Sequence, residues 1–141
     1  MKLFVICSKH FYDRVPPIKE ELERLGHEVT LPNSYDAPFK EEEMKLEGKE
    51  AHAEWKGAMM KKQIPKIEAN DAVLALNFEK KGQQNYIGGA TFMEIIQAWE
   101  RNKGIYLYNP IPDSSFKDEL TAMNPTILYG NLEMITNGHS S

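Results

Sequence analysis

The chain has 141 residues, 41% hydrophobic and 27% charged, which fits one ordinary domain with one core rather than two. A net charge of −4 and an isoelectric point near 5.6 exclude the general electrostatic footprint of a DNA- or RNA-binding protein. A single cysteine, Cys7, excludes an internal disulfide and any zinc site built from paired cysteines.

No apolar stretch approaches the roughly 20 residues that span a bilayer, and the start MKLFVICSKH turns polar too soon for a signal peptide. The expectation is a protein of the reducing cytoplasm that keeps off the membrane.

In chain order, residues 2–7 (KLFVIC) are a short apolar run of strand formers, broken by the polar residues 8–13. The next stretch, DRVPPIKEELERLGHEV, repeats Ile18, Leu22 and Leu25 at helical spacing, with prolines suited to a first turn and Gly26 suited to the position after a helix. Residues 27–31 form a second strand, and LPNSYDAPFK is punctuated as a loop. Residues 41–69 have the composition of helix, but Gly48, Gly57 and Pro65 predict two pieces. Glu41, Glu42 and Glu43 read as a solvated first turn that complements the helix dipole. Residues 71–77 (DAVLALN) are apolar enough for a strand buried on both faces at the sheet centre. A loop over 78–90, a helix over 91–102, the strand GIYLYNP, a short helix in PDSSFKDELTAM and a last strand in PTILYG follow. Residues 1–136 are thus read as one domain, with 137–141 a disordered tail.

Strands alternating with helices predict an α/β three-layer sandwich, Rossmann-like, with five parallel strands in a flavodoxin-like order. Ligands of such sheets bind beyond the carboxyl ends of the strands, so the loops after residues 7, 77 and 109 are the places to look. They read SKHFYD, FEKKGQQNYIGGA and PIPDSS; G-x-G-x-x-G and P-loop patterns are absent. In the middle loop, Gly88 and Gly89 let backbone approach a ligand, and the helix behind them points free amides and its positive end at a phosphate or sugar oxygen. Asn77, Asn85 and Asn109 are candidate substrate contacts at the same end of the sheet.

Glu94 has two readings. Thr91-Phe-Met-Glu94 matches a capping box, in which Glu94 folds back on the first turn. Alternatively, Glu94 is a carboxylate nucleophile for a sugar anomeric carbon, set among the small residues Ala90 and Ala98. His10 is a candidate general acid, since an imidazole titrates near neutrality. Lys80 and Lys81 read as a solvated loop tip. His27 and His52 lack partners at metal-ligand spacing and read as structural, Tyr106 and Tyr108 as strand packing, and Trp55, Met59 and Met60 as core or subunit interface. No metal site is expected.

NDAVLALN, the loop ending YIGGATFMEIIQAW, GIYLYNPIP and ERLGHEVTLP together resemble the nucleoside 2-deoxyribosyltransferase superfamily, including its deoxynucleoside 5'-monophosphate N-glycosidase branch. The resemblance covers residues 1–31 and 64–112. It implies that Glu94 attacks C1' of a nucleoside or nucleotide, that Gly88, Gly89 and Thr91 hold the sugar or its 5' group, and that Ser8, Lys9 and His10 line the opposite wall. It also implies no cofactor, no polymeric nucleic acid partner, and a homodimer. Two positions depart from the family: Phe4 stands where a tyrosine hydroxyl orients the nucleophile, and Gln63 stands nearest to an aspartate that assists at the base. Glu79, His10 or Tyr12 substitutes as proton donor, or the chain is a nucleotide- or nucleotide-sugar-binding module that does not cleave its ligand. A flavodoxin-like interaction domain without a ligand is the third reading.

Overall fold

The structure is a computed structural model that describes residues 1–136; the tail expected to be disordered, 137–141, lies outside the described residues.

The first apolar run forms β1 (Lys2–Ile6). Leu3, Phe4, Val5 and Ile6 are all fully buried, which requires cover on both faces of the strand. β1 pairs in parallel with β2 (Glu28–Thr30) on one edge and with β3 (Ala72–Ala75) on the other; β4 (Gly104–Leu107) and β5 (Thr126–Ile127) continue beyond β3. The strand order β2-β1-β3-β4-β5 is the flavodoxin-like order expected from the sequence.

The period of two along each strand sorts the core into halves. Leu3, Val5, Leu74 and Leu76 face α1 (Val15–Arg24) and the C-terminal residues Leu128, Leu132 and Ile135. Phe4, Ile6, Val73 and Leu107 face the other helical layer through Ile67, Ile95 and Leu120. Each such side chain contributes roughly 1.5–3 kcal/mol by leaving water, so the central strands carry most of the burial. The second layer comprises α3 (Lys49–Ala69), α4 (Gly89–Glu100) and α5 (Lys117–Ala122). Among the described residues no helix is long and apolar enough to cross a membrane.

Two helix boundaries differ from expectation. The run 41–69 does divide, into α2 (Lys40–Glu47) and α3, but only at Gly48; Gly57 and Pro65 lie within α3. Gly48 sits at φ +130°, a conformation closed to side-chain-bearing residues, and it reverses the chain so that α2 packs back on α3. The helix expected from residue 91 starts at Gly89, with Gly88 as its N-cap. Thr91 is therefore inside the helix, and the capping box expected around it does not form.

Candidate functional site

A cleft of about 490 Å³ opens beyond the carboxyl ends of β1 and β3. Its first wall is the segment after β1. Ser8 accepts from the His10 amide through its hydroxyl (3.4 Å) and so starts a 3-10 turn over Lys9–Arg14 that brings Lys9, His10 and Tyr12 to the cleft. The second wall is the start of α4. Its first helical bond runs from the Phe92 amide to the Gly88 carbonyl (2.9 Å), leaving the amides of Gly89, Ala90 and Thr91 without a helical acceptor. The two glycines have different reasons. A Cβ on Gly88 would come within 3.0 Å of the Tyr86 hydroxyl, whereas a Cβ on Gly89 would meet nothing within 4 Å and would only take up cleft space.

Glu94 lies one turn further along α4, lines the cleft and is only 6% exposed. Its carboxylate has no hydrogen bond or ion pair among the described residues. Burial pushes its carboxyl up to about 8, against a partial pull downward from Lys66 and Lys56. Cys7, on the same cleft wall as Ser8, has a thiol pushed up to about 12 by burial and by the Glu94 charge. Burial, with Cys7, Glu94 and Glu41 adding to it, lifts the Tyr12 hydroxyl well above the usual phenol range. Tyr12 is therefore a hydrogen-bond donor at any working pH. His10 is held below the usual imidazole range by partial burial and by the neighbouring cations Lys80, Lys9 and Lys81.

The third wall is α2 and α3. Trp55, Met59 and Met60, expected in the core or at a subunit interface, line the cleft, and so does Gln63. The spacing of four that joins Trp55, Met59 and Gln63 places them on one helix face. Gln63 is 5% exposed and donates from Nε2 to Gln97 Oε1 at 2.7 Å. Glu41, Glu42 and Glu43 form the first turn of α2 as expected; Glu42 and Glu43 are exposed, while Glu41 is half-buried, and Glu41 and Glu42 also border the cleft. Glu41 accepts from His52 Nε2 at 3.0 Å and Lys56 Nζ at 3.2 Å, and Glu42 pairs with Lys9 of the first wall. Burial alone would raise the Glu41 carboxyl, but these two donors outweigh it and hold it below the usual carboxylate range.

Glu94, His10, Tyr12, Ser8, Lys9, Gly88, Gly89 and Thr91 thus come together around one cleft. Asn77, Asn85 and Asn109 do not. Asn77 is fully buried, donates to the carbonyls of Asn109 and Pro110 (2.9 and 3.0 Å) and accepts from the Asn109 amide (2.8 Å). Asn109 returns the contact through Nδ2 to the Asn77 carbonyl (3.0 Å). The two asparagines staple the ends of β3 and β4 together, and the Asn77 amide is used up in doing so. Asn85 occupies a left-handed position (φ +57°) in the loop, outside the cleft lining. Lys80, expected in a solvated tip with Lys81, lines the cleft with its ammonium 4.4 Å from the Tyr86 ring centroid. Phe4 is buried in the core cluster under α3 and α4. Among the described residues no group of three His, Cys, Asp or Glu side chains could hold a metal ion.

Chemically, the arrangement offers one buried, unpaired carboxyl beside a helix start whose amides suit an anion or a sugar oxygen. No protein-family model, curated protein or solved structure matches this chain.

Proposed function

We propose that the protein breaks or transfers the N-glycosidic bond of a nucleoside or nucleoside 5'-monophosphate, with Glu94 as the nucleophile. The observation that carries this reading is the Glu94 carboxyl, 6% exposed, unpaired, and lining a cleft at the start of α4. An ionised carboxylate so placed attacks C1' as the bond to the base breaks, and its charge stabilises the oxocarbenium character that develops there. Water or a second base then releases the sugar. The amides of Gly89, Ala90 and Thr91, with Ser8 and Lys9 opposite, hold the sugar or its 5' group. A homodimer belongs to the reading, with exposed Phe39 and Leu46 at α2 as its apolar surface; sedimentation velocity checks it.

The second reading is a nucleotide-binding module without catalysis. It is favoured by Phe4, a core side chain without a hydroxyl, and by Gln63, an amide engaged with Gln97.

Incubation with a panel of nucleosides and 5'-monophosphates, followed by chromatography of free base, separates the two. Base release that falls at least about 1,000-fold in Glu94→Gln supports the enzyme, since losing a nucleophile removes the covalent route. The rate should rise with pH through about 8, because only the ionised carboxylate attacks. Binding with no release supports the module.

A further inference from the structure

The cleft is lined by three carboxylates, and two of them are committed. Glu41 is held by His52 and Lys56, and Glu42 by Lys9. Glu94 alone is unpaired. Gln63, which is as buried as Glu94 and lies on the packed neighbour α3, is an amide, which donates a hydrogen bond but has no acidic proton to transfer to a leaving base.

Two consequences follow. A neutral nucleobase departs as an anion unless it is protonated, and a positioned acid is worth roughly 10²–10⁴ in rate. Hydrolases of glycosides usually draw that proton from a second carboxyl; here the other two carboxylates of the cleft are tied into ion pairs, His10 is held below the usual imidazole range and so lacks the proton at neutral pH, and burial raises Tyr12 so that it keeps its own. Separately, a buried carboxylate without a protein partner is best complemented by a positive charge brought in by the ligand. Lys56 and Lys66 act on Glu94 from a distance, Cys7 and Tyr12 are neutral neighbours, and none of the four pairs with it.

One ligand class meets both requirements. We infer that the preferred substrate is a pyridinium N-glycoside, a nucleoside or nucleotide whose base carries a fixed positive charge at the ring nitrogen bonded to C1'. The inference rests on the reading of Glu94 as nucleophile and names the substrate for it. A Glu94 oxygen forms a bond to C1' while the C1'–N bond breaks. The electron pair goes to the ring nitrogen, so the pyridinium leaves as a neutral pyridine and no proton is taken up. Water then attacks C1', its oxygen stays on the sugar, one proton goes to solvent, and the Glu94 carboxylate is regenerated. Trp55 on the α3 wall supplies an aromatic ring against which a cationic heterocycle stacks.

Two measurements test this. In the first, nicotinamide riboside and nicotinamide mononucleotide are compared with the common ribo- and deoxyribonucleosides and their monophosphates, reading free base over a buffer blank. Nicotinamide should be released at least about 100-fold faster than any neutral base, and not by Glu94→Gln. In the second, calorimetry follows binding of 1-methylnicotinamide, a cation that cannot be cleaved, and of neutral nicotinamide. Affinity for the cation should rise roughly tenfold between pH 7 and pH 9 in the native protein as Glu94 ionises, stay flat in Glu94→Gln, and stay flat for neutral nicotinamide. Neutral bases released as fast as nicotinamide overturn the inference while leaving Glu94 as nucleophile. A flat pH response for the cation also overturns it. Release of no base from any glycoside overturns the inference and the reading beneath it together.

Discussion

The α2–α3 wall and the α4 wall of the cleft treat the same side chain in opposite ways. Glu41, on the first, is half-buried and accepts from His52 and Lys56, which hold its carboxyl below the usual range. Glu94, on the second, is more deeply buried, has no such partner, and is pushed up to about 8. Residue type does not decide ionisation here; the supply of donors does. Partners are present where solvent would already have screened the charge, and they are missing where the charge is hardest to bury. The first pattern is that of a structural carboxylate, and the second is the one that the proposed function requires of Glu94.

The largest expected effect comes from removing the unpaired member. The folded Glu94 carboxyl titrates at about 8 against an ordinary value of 4.5. Between those values the folded state keeps a proton that the unfolded state has lost, so stability falls as pH rises through this window and is fully retained below it. The loss is on the order of 3–5 kcal/mol by pH 8. Urea unfolding at pH 5 and pH 8.5 should show that loss in the native protein and little of it in Glu94→Gln. Equal pH responses would mean that Glu94 is not the buried, unpaired acid.

A smaller effect is expected from Gly48→Ala, which disturbs the paired wall through its backbone. A Cβ there meets nothing within 4 Å, so the whole penalty is the strain of φ +130°. It should amount to about 1–3 kcal/mol, measurable as a lower urea midpoint and as loosening of the α2–α3 reversal in hydrogen exchange. An unchanged midpoint would show that the hairpin is held by its ion pairs rather than by the turn.

The sheet was legible in the sequence because its signal is local. KLFVIC and DAVLALN are apolar on both faces, and only a strand covered twice needs that. That Glu94 borders a cleft was legible because two glycines precede a helix at a strand's carboxyl end. The start of α4 was misplaced by two residues because Thr91 resembles a cap, while Gly88 caps with no side-chain bond at all. The Asn77–Asn109 staple was out of reach, since each asparagine looks ligand-ready until its partner 32 residues away is known. Trp55, Met59 and Met60 were read as core or interface instead of cleft, because composition and spacing alone do not say whether a helix face meets a core, a partner or a cleft. Lys80 and Lys81 are neighbours in sequence with different fates: Lys80 lines the cleft, while Lys81, at φ +48°, does not.

The smallest expected effect, Glu41→Gln, asks whether the two walls communicate. Glutamine keeps an acceptor for His52 or Lys56 but removes the charge, and with the Glu41 side chain 23% exposed the change in stability should be about 1 kcal/mol or less. Because the folded Glu41 value is depressed, that contribution is present above the ordinary value of 4.5 and is lost as pH falls through the lowered one. Native and variant unfolding curves should therefore converge in acid. At the other wall the sign reverses. Lys56 draws the Glu94 carboxyl downward, and a Lys56 no longer neutralised by Glu41 draws on it more strongly. The pH at which base release, or 1-methylnicotinamide binding, reaches half its maximum should therefore move down in Glu41→Gln. Movement upward would mean that Glu41 holds Lys56 where it acts on Glu94, so that the paired wall tunes the unpaired one by position instead of by charge.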